Sequence, residues 1–123
     1  MQDNPDPKAI LAAVIAFLRD RALPDLSGRT AFDLRVSINA LELIARQLAL
    51  GPAGEAAEAA RLAPLLGESG PLETLNARLA ERIRAGDLGP ETPGLIDHLF
   101  ATTKEKLAVD QPKYAAYRHI NEK

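Results

Sequence analysis

"RVSINALELIAR", residues 35–46, decides how this chain folds. Its apolar side chains recur at helical spacing, so the stretch is the middle of a helix. Arg35, Asn39, Glu42 and Arg46 recur at i, i+4, i+7 and i+11. On a helix of 3.6 residues per turn they form one polar row within roughly 60° of arc. Apolar residues crowd both sides of the row. Phe32, Val36, Leu43 and Leu50 share one face, and Leu34, Ile38, Leu41, Ala45 and Leu48 share another. A helix apolar on two faces normally touches neighbours on both sides, which places this one at the centre of the fold.

The helix starts near Arg29. Thr30 and Asp33 form a weak capping box, with Asp in place of the usual Glu or Gln. Gly51-Pro52 is the expected end, giving a helix of about 29–50. Upstream, Asp6 caps and Pro7 occupies the first position of a helix that stops before Pro24. Ile10, Leu11, Val14, Phe17 and Leu18 are its expected buried side. Downstream, "AGEAAEAARLAPLLG" is rich in small residues that let helices approach closely, with a kink or early end at Pro64. A fourth helix opens at Ser69-Gly70-Pro71 and closes at Gly86. Leu72, Leu75, Leu79 and Ile83 form its apolar row, and Glu73, Arg78, Glu81 and Arg82 face solvent. A fifth starts with Thr92 as cap and Pro93 at its first position. It buries Leu95, Ile96, Leu99, Phe100, Thr103 and Leu107, and "DQP" (110–112) ends it. Residues 111–123 are either a docking arm or a frayed tail. No sustained alternation and no hairpin turn points to a strand. The expected fold is all-α: a compact single domain, 1–123, of about five helices.

Composition narrows the chemistry. The chain has 123 residues, enough for one core without metal or disulfide staples. Aromatics are only 4%, so Leu, Ile, Val and Ala must build the core. A net charge of −2 lacks the basic field that nucleic acid requires. No stretch approaches the roughly 20 apolar residues of a membrane span. The acidic, proline-containing "MQDNPDPK" does not read as a signal peptide, so the cytoplasm is the expected location. With no cysteine, disulfides, thiolate metal sites and cysteine nucleophiles are excluded.

Catalytic motifs are not found. There is no phosphate-binding glycine loop and no nucleophile elbow. His98 and His119 belong to no metal-ligand pair, and His98 is expected at the surface or its boundary. "TTKEK" (102–106) lies in the second half of its helix, where the dipole favours cations rather than phosphate, so Lys104 and Lys106 need no functional reading. No catalytic residue, metal ligand or cofactor is expected. Tyr114 and Tyr117, spaced i, i+3, either pack the tail down or anchor a partner. The Arg35, Asn39, Glu42 and Arg46 row has three readings: a structural edge with a Glu42–Arg46 pair, a protein interface, or a small-molecule site. The structural reading leads. It places Asn39 partly buried between the two apolar faces, bridging to a backbone group near a helix end such as Asp110–Pro112.

Three stretches carry a family resemblance: "SGRTAFDLRVSINALELIARQLALGP" (27–52), "LNARLAERIRAGDL" (75–88) and "TPGLIDHLFATTKEKLAVDQPKY" (92–114). Their S-G-R-x-A-F, R-V-x-x-N and K-L-x-x-D-Q-P-x-Y phrases resemble a family of small bacterial domains of unknown function. The likeness runs from the first helix to Tyr114. Such domains are typically encoded beside aminoglycoside-phosphotransferase-like kinases and acyl-CoA dehydrogenases. The resemblance implies an all-helical accessory domain serving such a partner. It puts Arg29, Arg35, Asn39, Asp110, Gln111 and Tyr114 on the family's motif and carries over no catalytic residue. The expected function is a non-enzymatic accessory or protein-interaction module. The alternative is a small-molecule-binding or catalytic protein acting on an acyl-CoA or phosphorylated substrate. Whether a kinase, a dehydrogenase or a second copy of the chain is the partner stays open.

Overall fold

The computed structural model describes residues 5–121. Within them every regular element is helical, as the periodicity predicts. α1 is Pro7–Phe17, followed by a π-turn (Leu18–Ala22) and a 3-10 turn (Leu23–Asp25). α2 is Gly28–Leu66, α3 Leu72–Ala85, α4 Leu95–Asp110 and α5 Ala115–Asn121. The chain forms two compact units, Met1–Ala49 and Leu50–Lys123, and α2 runs through both.

The second helix is longer than its expected 29–50. Gly51-Pro52 does not end it, and Pro64 does not interrupt it. The expected second and third helices are therefore one element of 39 residues. Each proline removes one N–H, leaving the carbonyl four residues earlier, at Leu48 and Ala60, without its helical donor. Leu48, Pro52, Ala60 and Pro64 are all exposed, so water can take those carbonyls. The alanines between the prolines favour the helix. The true end is Gly67, at φ +70, whose N–H donates to the Ala63 carbonyl at 2.8 Å. Arg82 donates to the Leu66 carbonyl at 2.8 Å and to Glu68 at 3.2 Å, fastening that end to α3.

In the first unit Asp6 caps α1 as expected, its carboxylate accepting from the Ala9 N–H at 3.0 Å. The buried seam is shifted, however. Ile15 is the fully buried residue, with Leu11, Leu18 and Ala22 half-buried beside it. Ile10, Val14 and Phe17 are exposed, contrary to expectation. The first part of α2 buries Ala31 and Ile38, and Leu34, Leu41 and Ala45 are half-buried. Leu41 is thus at the edge of the covered side, not in its centre.

The second unit holds the larger core: Leu62, Leu66, Leu75, Leu79 and Leu95, flanked by Leu65, Leu72 and Leu88. α3 keeps most of its expected apolar row, with Ile83 exposed, and ends at the left-handed Gly86 as predicted. α4 departs more. It starts at Leu95 after a left-handed Gly94, because Thr92 is used to close a turn instead. The Thr92 hydroxyl accepts from the Gly89 N–H at 2.9 Å. Of the expected buried side only Leu95 is fully buried, and Ile96, Leu99 and Phe100 are exposed. α4 ends at Asp110, with Gln111 out of the helical region as its place before Pro112 requires. The tail is helical over α5, and its last two residues lie outside the described residues.

Candidate functional site

The polar centre of the second unit is built on Arg61, in the alanine-rich part of α2. His98, Thr102 and Glu105 stand at i, i+4 and i+7 on α4, in one row along its axis. Arg61 engages all three. Its Nε donates to His98 Nδ1 at 3.2 Å, Nη2 to Thr102 Oγ1 at 3.1 Å, and Nη1 to Glu105 Oε1 at 2.6 Å. A Cβ added at Gly54 would stand 3.7 Å from the Glu105 carboxylate. One turn away, the buried Glu58 accepts from Asn76 Nδ2 of α3 at 2.7 Å.

His98 is 2% exposed, so it is not the surface or boundary residue the sequence suggests. Burial is the main force holding its imidazole below the usual pKa, and the Arg61 charge adds to it, against the opposing carboxylates of Glu58 and Glu105. The ring is therefore neutral at pH 7. Since Nδ1 accepts from Arg61, the proton sits on Nε2. That Nε2 and Glu105 Oε2 are buried without a protein partner among the described residues. Beside His98 opens a mainly apolar cleft of about 490 Å³, walled by Arg61, Pro64 and Leu65 from α2 and by Gly94 and Asp97 at the start of α4. Asp97 is exposed while its neighbour His98 is buried, as adjacent positions on a helix require. No group of three or more potential metal ligands occurs among the described residues.

The row of Arg35, Asn39, Glu42 and Arg46 lies in the first unit, at other positions of the chain than this cluster. Arg35 and Asn39 are exposed, and Glu42 and Arg46 are half-buried. Asn39 is therefore not the partly buried amide expected. Of the two apolar faces the one with Ile38 is the more covered; on the other Phe32 and Val36 are exposed and Leu43 is half-buried, and Asn39 stands beside that face. Glu42 accepts from Arg19 of the π-turn at 3.3 Å, a partner that i, i+4 spacing does not name. Tyr114 is exposed and Tyr117 half-buried. Arg61, Thr102 and Glu105 escaped the sequence reading. The one signal for the α4 members is the polar His98-x-x-x-Thr102-x-x-Glu105 row, three polar side chains on one side of a helix.

Residues 24–114 match the family model described as Domain of unknown function (DUF6285), and the chain belongs to that family. The matched stretch begins after α1 and ends at Tyr114. It contains the whole Arg61 cluster. No curated protein and no solved structure matches the chain.

Proposed function

We propose that the chain is a non-enzymatic interaction module that docks onto a larger protein, of the phosphotransferase-like kinase or acyl-CoA dehydrogenase class that the resemblance implies. The observation carrying this reading is the surplus of large apolar side chains over what the fold covers. On α4, Ile96 is 54% and Phe100 52% exposed, with Leu99 between them. They stand on the side of the helix away from the His98–Thr102–Glu105 row, inside the family's matched stretch. Contiguous exposed apolar surface of this kind marks interaction sites. The Arg61 cluster supports the same reading, because its guanidinium nitrogens are all engaged within the protein.

The test is calorimetric titration of the full chain into a purified kinase and a purified dehydrogenase encoded beside its gene. Binding to one of them is expected at micromolar Kd or tighter, with the negative heat-capacity change of apolar burial. Phe100→Asp should weaken it by about tenfold or more. Binding to neither would overturn the partner class, and indifference to Phe100→Asp would overturn the surface.

A second reading has one observation in its favour. The unpartnered His98 Nε2 lies beside an apolar cleft, as a site for the acyl part of an acyl-CoA would need. A phosphorylated substrate has no such support, since Arg61 is fully engaged. Saturable acyl-CoA binding that shifts the His98 ring resonances, and is lost in Leu65→Asp, would favour this reading over the first.

A further inference from the structure

The uncovered face of α2 in the first unit carries its own pattern. At 100° per residue, Phe32, Val36 and Leu43 fall within about 40° of each other, roughly 140–160° round the helix from Ile38 and Leu41. The Ile38 and Leu41 side is covered by the protein itself. On the opposite side Phe32 is 57% and Val36 53% exposed, and Leu43 is half-buried. Along one edge of that seam run Arg35, Asn39 and Glu42. This mixture of apolar side chains with arginine at the rim has the composition of a protein interface.

The order of the charges selects the partner. When two copies of a helix pack antiparallel about a two-fold axis, the same edge of each helix meets itself in reverse order. With the axis near Asn39, Val36 of one copy meets Leu43 of the other. Arg35 then stands by Glu42 of the second copy, and Glu42 by its Arg35. The two Asn39 amides face each other beside the axis. Both ion pairs are attractive, with Glu42 offering its second carboxylate oxygen, since Oε1 already accepts from Arg19 of its own chain, and every apolar residue of the seam meets another or the aliphatic part of a neighbour. A shift by one turn brings Arg35 against Arg46 and removes both attractive pairs. The amide pair also opposes a shift, since an Asn in an apolar helix seam fixes register. We propose that this face of α2 is a self-association surface, pairing two copies of the chain antiparallel through Phe32, Val36 and Leu43 with reciprocal Arg35–Glu42 contacts. It uses residues of α2 and none of the α4 residues Ile96, Leu99 and Phe100, so its test does not depend on the partner protein proposed above.

The face spans residues 28–49 and is about 33 Å long and one helix wide, less than the roughly 800 Å² per partner of a standard interface. Association should therefore be weak and concentration-dependent. Sedimentation equilibrium on the full chain, without any other protein, is the measurement. Between about 1 and 200 µM the mass should rise from 13.2 kDa toward twice that. Val36→Glu changes an exposed residue, so the fold should survive, as circular dichroism can verify, and dimerisation should weaken by about tenfold or more. Arg35→Glu and Glu42→Arg should each weaken it through like-charge contacts, and an equimolar mixture of those two variants should recover it as a heterodimer. A wild-type chain that stays monomeric at the top of this range overturns the proposal. So does a dimer indifferent to Val36→Glu, or charge variants that do not rescue each other.

Discussion

At the scale of single residues, His98 links stability to pH. Its imidazole is held below its ordinary pKa by burial first and by Arg61 second, so the folded protein resists protonating it. The unfolded chain takes up that proton near pH 6.5. The unfolded state therefore binds more protons below that value, and stability is full above about pH 6.5 and falls as the pH drops toward the lowered folded pKa. Geometry gives the same sign. Protonating Nδ1 replaces the acceptor of the Arg61 Nε–H with a second positive donor, 3.2 Å away. Urea unfolding at about pH 7.5 and pH 5.5 should show this loss in the wild type. His98→Gln, which can still accept from Arg61, should flatten the slope. Equal slopes in the two proteins would remove His98 from the linkage. Packing makes a second residue-scale prediction. Leu62 is fully buried at the centre of the larger core, so Leu62→Ala should cost about 2–5 kcal/mol. Leu41→Ala, at a half-buried edge, should cost about 1 kcal/mol. Denaturant melts of the two variants give the comparison, and an equal loss would put Leu41 in a core.

At the scale of elements, α2 shows where sequence rules hold and where context overrides them. Pro52 lies inside the helix and is exposed, and its side chain is not part of either core. Its cost to the helix should be recoverable. Pro52→Ala restores an N–H that can reach the Leu48 carbonyl, and should raise stability by about 1–3 kcal/mol in thermal or urea unfolding. No gain would mean that the backbone there already departs from α geometry. Local chemistry made some ends of the helices legible, though not the start of α4, where Thr92 closes a turn instead of capping. Asp6 with Pro7, Gly86, and Gln111 before Pro112 act through one cap, one left-handed glycine and one steric clash, and the structure uses all three. The Gly51-Pro52 stop failed because an exposed proline costs a helix one hydrogen bond that water can replace. Which apolar row is buried was legible on α3 and not on α1 or α4. Ile10, Val14 and Phe17 repeat at helical spacing as well as Leu11, Ile15 and Leu18 do, and periodicity cannot say which of two rows the neighbours cover. The Arg61 cluster was illegible for a related reason. Arg61 is 37 to 44 positions from its three partners in sequence and meets them only when α2 and α4 pack.

At the scale of the whole molecule, buried apolar side chains are unevenly shared. Leu62, Leu66, Leu75, Leu79 and Leu95 belong to the unit from Leu50 onward. The unit ending at Ala49 has Ile15, Ala31 and Ile38, one of which is an alanine. Burial of a large aliphatic side chain contributes about 1.5–3 kcal/mol, so the second unit has more stabilisation to lose before it opens. It also carries the Arg61 contacts and the Arg82 clasp at the end of α2. Local opening should therefore be easiest in α1 and the π-turn that follows it. Amide hydrogen exchange on the intact chain reads this directly, because protection reports the free energy of the opening that exposes each N–H. Amides of α3, of α4 from His98 to Leu107, and of α2 from Glu58 to Leu66 should exchange most slowly. Those of α1 should exchange at least about tenfold faster, a difference of about 1.4 kcal/mol in opening free energy. The ordering should persist in Val36→Glu, whose substitution touches neither core, and at concentrations too low for self-association. Protection in α1 equal to that in α3 would mean that the first unit's three buried residues are not the measure of its stability, and that Ile10, Val14 and Phe17 are covered in solution by another surface.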